Sequence, residues 1–178
     1  MNTTTEEKMF NAIQEGDFAT LSQILYDEPH ALEVLGEHNP YVRDKTPLMF
    51  AMQCQRLQLA HELLDLGANA AAEMPAGPRD SALSLCITYA CSDSTRHDEW
   101  IRLATHLIDK GADPNSGLWP ALHGFGGPVK RADLIRLVLE RGADPDRQLG
   151  NSGNTIRELV KINRHLYSSE VLALFGIA

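Results

Sequence analysis

The chain has 178 residues, with 43% apolar and 22% charged side chains, an ordinary globular composition that excludes wholesale disorder. Aromatic residues make up only 6%, and β-branched residues are sparse beside Leu and Ala, which disfavours a β-sandwich and points to helices. A net charge of −8 argues against a protein that coats nucleic acid, because duplex binding needs a basic surface. Three cysteines, Cys54, Cys86 and Cys91, are too few for a disulfide framework and suit a reducing compartment. The start lacks a basic segment followed by an apolar one, and no uninterrupted apolar run nears ~18 residues. The expectation is a soluble, cytoplasmic protein with no membrane partner.

Charge is graded along the chain: residues 1–42 carry a net −7, residues 43–127 a net −3 and residues 128–178 a net +2. An acidic solvated cap explains this, and so does a face that steers a basic partner.

In chain order, the first predicted helix lies near Glu6–Glu15, and a Gly16-Asp17 turn leads to a second, marked by Phe18, Leu21, Ile24 and Leu25 and ended by Pro29. In the segment Ala31–Val42, the apolar Leu32, Val34, Leu35 and Tyr41 are expected to tuck against this cap. Two motifs then recur. The first reads Thr46-Pro47-Leu48-Met49-Phe50-Ala51, then Ser81-Ala82-Leu83-Ser84-Leu85-Cys86, then Pro120-Ala121-Leu122-His123-Gly124-Phe125, and more weakly Thr155-Ile156-Arg157-Glu158-Leu159-Val160. Successive starts are 35, 39 and 35 residues apart. A hydroxyl residue followed by Pro or Ala is a helix start.

The second motif ends in Gly67-Ala68-Asn69, Gly111-Ala112-Asp113 and Gly142-Ala143-Asp144. Before each glycine lies one apolar stripe: Leu59, Ala60, Leu63 and Leu64; Leu103, Ala104, Leu107 and Ile108; Leu134, Ile135, Val138 and Leu139. That spacing makes an amphipathic helix closed by a left-handed glycine. The segment Ala70–Asp80 reads as an extended finger.

The middle copy is the irregular one. Leu48 to Gly67 spans 19 residues and Leu122 to Gly142 spans 20, but Leu83 to Gly111 spans 28. The excess of nine falls near Cys91–Glu99, read as a longer second helix plus a polar loop. Cys86, Cys91, His97 and His106 match no zinc spacing, and Cys86 occupies a small core position. Gly124-Phe125-Gly126-Gly127 lacks the Lys and hydroxyl residue of a phosphate loop and follows a helix, so it reads as a turn. No catalytic residue, cofactor or metal is expected.

With these motifs in register, the chain resembles the ankyrin-repeat family over roughly residues 6–178. The resemblance implies an all-α solenoid of about five stacked helix–turn–helix units with short finger loops, in a single domain 1–178. The units are an N-cap at about 6–29, repeats at about 43–76, 79–115 and 116–146, and a C-cap at about 150–178. The family's motif His survives only as His123, with Met49, Ser84 and Glu158 at the equivalent places, so weaker hydrogen bonding between repeats is expected. Arg157 stands where the motif Leu belongs, which suits a terminal cap.

The resemblance also implies a non-catalytic module, monomeric when free, that binds a partner protein through fingers and a concave helix face. Tyr41, Arg43, Met74, Arg79, Trp119 and Phe125 are the candidate partner-binding residues, with Trp119 read as lying at the base of a finger just before Pro120. Acidity and small size suggest a narrower role, a bacterial immunity-type inhibitor of a basic toxin. The alternative from another class is an enzyme, or an enzyme-regulatory subunit, with its site in the 91–99 insertion.

Overall fold

A computed structural model of the chain describes residues 3–75, 80–123, 131–149 and 153–177, and among these every regular element is helical. The helices are α1 (Thr3–Glu15), α2 (Phe18–Asp27), α3 (Pro47–Gln53), α4 (Leu57–Asp65), α5 (Ala82–Ser92), α6 (His97–Asp109), α7 (Asn115–His123), α8 (Arg131–Glu140), α9 (Ile156–Ile162) and α10 (Ser169–Leu174). Short 3-10 turns lie at Pro29–Glu33 and Arg164–Leu166.

The hydroxyl residues of the first motif act as caps. The side chains of Thr46, Ser81, Thr155 and Ser168 accept hydrogen bonds from the N–H groups of Met49, Ser84, Glu158 and Val171. Glu158 completes a reciprocal box by accepting from the N–H of Thr155 at 2.8 Å. At the other end, Gly67, Gly111 and Gly142 have φ of 99°, 105° and 98°. Each glycine N–H donates to the carbonyl three residues back, and each following alanine N–H donates to that of Leu63, Leu107 or Val138. A Cβ at these glycines would meet nothing within 4 Å, so the requirement is conformational rather than steric. Asn69, Asp113 and Asp144 then close the turn by accepting from the N–H two residues on.

The helices pack as pairs, α1 with α2, α3 with α4, α5 with α6 and α7 with α8. The first members form a row, α1 against α3, α3 against α5 and α5 against α7, while α4 packs on α6 and α10 on α8. One apolar core runs through the stack, from Phe10 to Phe175.

The third first-motif copy is shifted from its expected place. It does not start at Pro120: α7 begins at Asn115 and Pro120 lies inside it. The structural equivalents of Thr46 and Ser81 fall at Ser116, and the Ser81 hydroxyl donates to the Ser116 hydroxyl at 2.8 Å. Leu118, not Leu122, then matches Leu48 and Leu83, and all three are fully buried. Ala121 matches Ala51 and Cys86 in the same way. The physical reason is a missing finger. Gly67 to Ser81 spans 14 residues, whereas Gly111 to Ser116 spans five, so Asp113 and Pro114 turn straight into α7.

Fingers occur at the other junctions. Gly36 bridges Arg43, Glu73 bridges Ser81 and Gln148 bridges Thr155. Gly36 must be small, because a Cβ there would sit 2.4 Å from the Val42 carbonyl oxygen.

The 91–99 excess is not a loop. Helix α5 has 11 residues against seven in α3, and α6 has 13 against nine in α4. Each helix of this pair is one turn longer, and the turn between them gains one residue. Cys91 and Ser92 end α5, while His97-Asp98-Glu99 open α6.

Gly117 tests the corrected register. An added Cβ would stand 3.0 Å from Val138, 3.3 Å from Ile87 and 3.4 Å from Leu83. Gly117→Val should therefore cost about 1–3 kcal/mol in denaturant melts through overpacking. A neutral result would mean that residue 117 does not face the core.

Candidate binding face

The row α1, α3, α5 and α7 is largely buried along its middle, where Pro47–Met52 of α3 are covered, and its accessible positions lie toward the two ends of the row. At its N-terminal end a pocket of about 350 Å3 is lined by Phe10, Asn11 and Gln14 of α1, by Phe50, Gln53 and Cys54 around the end of α3, and by the 38–42 segment. Phe10 and Phe50 meet edge to face with centroids 5.2 Å apart, and Phe10 lies 5.7 Å from the His38 ring. The floor is thus aromatic and the rim is largely amide.

The finger beside it is held by Glu6. Its Oε1 accepts from the N–H of Glu37 at 2.7 Å and of His38 at 3.2 Å, and meets His38 Nδ1 at 2.9 Å. Burial acts to raise the Glu6 carboxyl, but these donors outweigh it and hold the group below the usual carboxylate range. Gln53 Nε2 donates to the Tyr41 carbonyl at 3.4 Å and Lys45 Nζ at 3.1 Å, which locks the finger tip over α3.

The candidate residues separate on this geometry. Tyr41 stands on the pocket rim, 75% exposed, while Leu32 and Val34 pack against the core. The expectation that Tyr41 tucks against the cap is therefore corrected: the turn at Asn39 points it outward. Arg43 is exposed on the same finger. Met74 is half-buried against the core. Arg79 and Phe125 lie outside the described residues. Trp119 is 40% exposed and stacks on His123 at 3.6 Å, but within α7 rather than at a finger base. In the corrected register Trp119 matches Met49 and Ser84, and His123 matches Gln53 and Thr88. Trp119 and His123 therefore belong to the same row of first helices as the pocket.

A ladder that the sequence does not reveal ties the opposite ends of the pairs together. Arg56 donates to the Gln14 carbonyl from Nε at 3.1 Å and Nη2 at 2.7 Å. Arg96 donates to the carbonyl and side-chain oxygen of Gln55 at 3.1 and 2.6 Å. Asp93 anchors Arg96 at 2.9 Å, and also accepts from Thr95 and from the indole N–H of the fully buried Trp100 at 3.1 Å. The Thr95 hydroxyl, with the Trp100 and Arg96 donors, holds the Asp93 carboxyl far below its ordinary range.

The other groups weighed for chemistry are spread through the core. Cys86 and Cys91 are buried, their thiols directed at the Trp100 and Pro120 carbonyls, and burial pushes the Cys86 thiol up. His97 Nε2 lies 3.9 Å from Asp133, and neither ring nitrogen has a hydrogen-bond partner among the described residues. Among the described residues, no three His, Cys, Asp or Glu side chains converge as metal ligands. No described helix is long and apolar enough to cross a membrane.

Comparison with known proteins finds no family model and no curated protein that matches the chain. Among the solved structures that match is a chain 16% identical, with a TM-score of 0.48 over 95% of this chain and 97% of that one. It belongs to a structure of a predatory endopeptidase from Bdellovibrio bacteriovorus in complex with an immunity protein.

Asp93→Ala leaves the buried Trp100 N–H without its acceptor and should destabilise by about 1–3 kcal/mol, with Ser94→Ala as a near-neutral control. Because the folded Asp93 is depressed, its contribution is present above the ordinary Asp range and is lost as pH falls below it. Urea melts of wild type and Asp93→Ala at several acid pH values should converge. Parallel curves would contradict the assignment.

Proposed function

We propose that the chain is an ankyrin-type repeat array acting as a non-catalytic binding module, which engages a protein partner through its first-helix row and the 36–45 finger. The observation that carries this reading is the aromatic-floored pocket at the N-terminal end of the first-helix row, with the exposed Tyr41 on its rim; Trp119 is a second exposed aromatic, at the far end of the same row. Aromatic anchors beside a preformed concavity are what a protein interface uses for most of its binding energy. Support for the array comes from the glycine-closed second helices, the hydroxyl-capped first helices and the fingers at three junctions.

The partner in this reading is basic, and an inhibitor of a basic toxin is its narrowest form. Residues 1–42, which supply the pocket's α1 wall and most of its finger, carry the net −7. Such a field speeds association with a cation-rich surface and weakens as salt rises. The alternative site at 91–99 has less support, because that segment consists of two helix ends and a turn whose Asp93 is occupied within the fold.

The test is capture from the native host by immobilised wild type, by the Tyr41→Ala and Trp119→Ala variants, and by a Ser94→Ala control. A stoichiometric partner should come down with wild type and the control. Each aromatic variant should bind it about 5- to 150-fold more weakly, which corresponds to ~1–3 kcal/mol. Full retention by the double variant would overturn the face. Loss only on replacing residues 93–96, in a variant whose melt matches wild type, would move the site to the insertion.

A further inference from the structure

On the side of the stack formed by the second helices, His61 of α4 and His106 of α6 meet with their Nδ1 atoms 2.8 Å apart. The ring planes are inclined by only 19°, yet the centroids are 5.1 Å apart. With the nitrogens that close and the centroids that far, the rings stand end to end rather than face to face, each Nδ1 directed at the other. Such a contact holds one proton, because one nitrogen must donate and the other must offer its lone pair.

The surroundings decide which. His106 Nε2 lies 3.3 Å from Asp65 Oδ1, and Lys110 Nζ lies 3.2 Å from the same oxygen. The carboxylate can only accept, so His106 carries its proton on Nε2 and its Nδ1 is the acceptor. His61 is therefore the Nδ1–H donor. We propose that His61 and His106 form a single-proton latch between the second helices of neighbouring units, released when acid supplies a second proton.

The charged groups facing the pair are Asp65 from α4, Arg102 from α6 and Lys110 just past the end of α6. Asp109 of α6 is engaged by Arg141 of α8. Asp65 favours a cation at the pair, while Arg102 and the partner ring oppose it. Burial, followed by the charge of His106, holds His61 below the ordinary histidine value. A depressed histidine contributes stability that is complete above about pH 6.5 and is lost as pH falls. Above that value the latch joins α4 to α6. Below it the second proton turns the contact into a like-charge repulsion.

Two measurements on the purified protein test this. Long-range proton–nitrogen NMR of 15N-histidine protein near pH 7.5 should show His106 as the Nε2–H tautomer and His61 as the rarer Nδ1–H tautomer, with a coupling across the two nitrogens. Thermal melts between pH 7.5 and 5 should show the wild-type Tm falling by about 2–4 °C more than that of His61→Gln, which keeps a polar side chain but cannot titrate. Both rings as Nε2–H tautomers, or wild type and variant losing Tm in parallel, would overturn the latch. Should His61→Gln fail to fold, the tautomers of wild type decide alone.

Discussion

A helix hairpin of this length has one apolar side and no second layer of its own to cover it. Each pair must therefore be covered by the next, and the rest of the structure follows from that shortage. Leu48, Leu83 and Leu118 sit at equivalent places in successive first helices and are all fully buried, as are Leu63, Leu107 and Val138 in the second helices. Ends that close the same way every time keep those side chains aligned from one unit to the next. The positive φ of Gly67, Gly111 and Gly142 and the side-chain turns of Asn69, Asp113 and Asp144 supply that regularity. The last unit departs from the pattern. Arg157 replaces the motif Leu and ties the C-terminal unit together, donating to Asp146 at 2.7 Å and to the Phe175 carbonyl.

Polar links then join the ends of the pairs. Arg56 reaches back to Gln14 and Arg96 to Gln55, so the turns of the α3–α4 and α5–α6 pairs are each bonded to the pair before. The exposed ion pairs between units, such as Arg147 with Asp113 and Arg136 with Glu170, add little by comparison, since solvent screens them. Buried acceptors count for more, and Asp93 combines both roles by serving Trp100 below and Arg96 above.

The second helices were legible because their signal is local: an apolar stripe, then Gly-Ala-Asx. The first helices were legible wherever a hydroxyl cap opens the motif, as at Thr46, Ser81 and Thr155. The third copy misled because Pro120-Ala121-Leu122-His123 imitates Thr46-Pro47-Leu48-Met49, while the true start beside Ser116 carries Gly117, a poor helix former in isolation. Gly117 is tolerated there because Val138, Ile87 and Leu83 leave no room for a side chain. Trp119, expected at the base of a finger, lies inside α7 because the register is shifted. The pocket and the arginine ladder left no local trace. They depend on pairs such as Glu6 with His38 and Arg96 with Gln55, which are 32 and 41 residues apart in the chain and meet only once the units have stacked. His61 and His106 are likewise 45 residues apart.

The binding reading rests on the register that brings Trp119 and His123 into the same row as the pocket beside Tyr41. Cysteine pairs measure that register directly. In a Cys54→Ser, Cys91→Ala background, which also removes the thiol beside Pro120, Ser81→Cys with Ser116→Cys should form a disulfide on mild oxidation, because those two hydroxyls are 2.8 Å apart in the native fold. Ser81→Cys with Pro120→Cys should remain reduced. Crosslinking of the second pair and not the first would return the motif start to Pro120, remove Trp119 from the shared face and contradict the account.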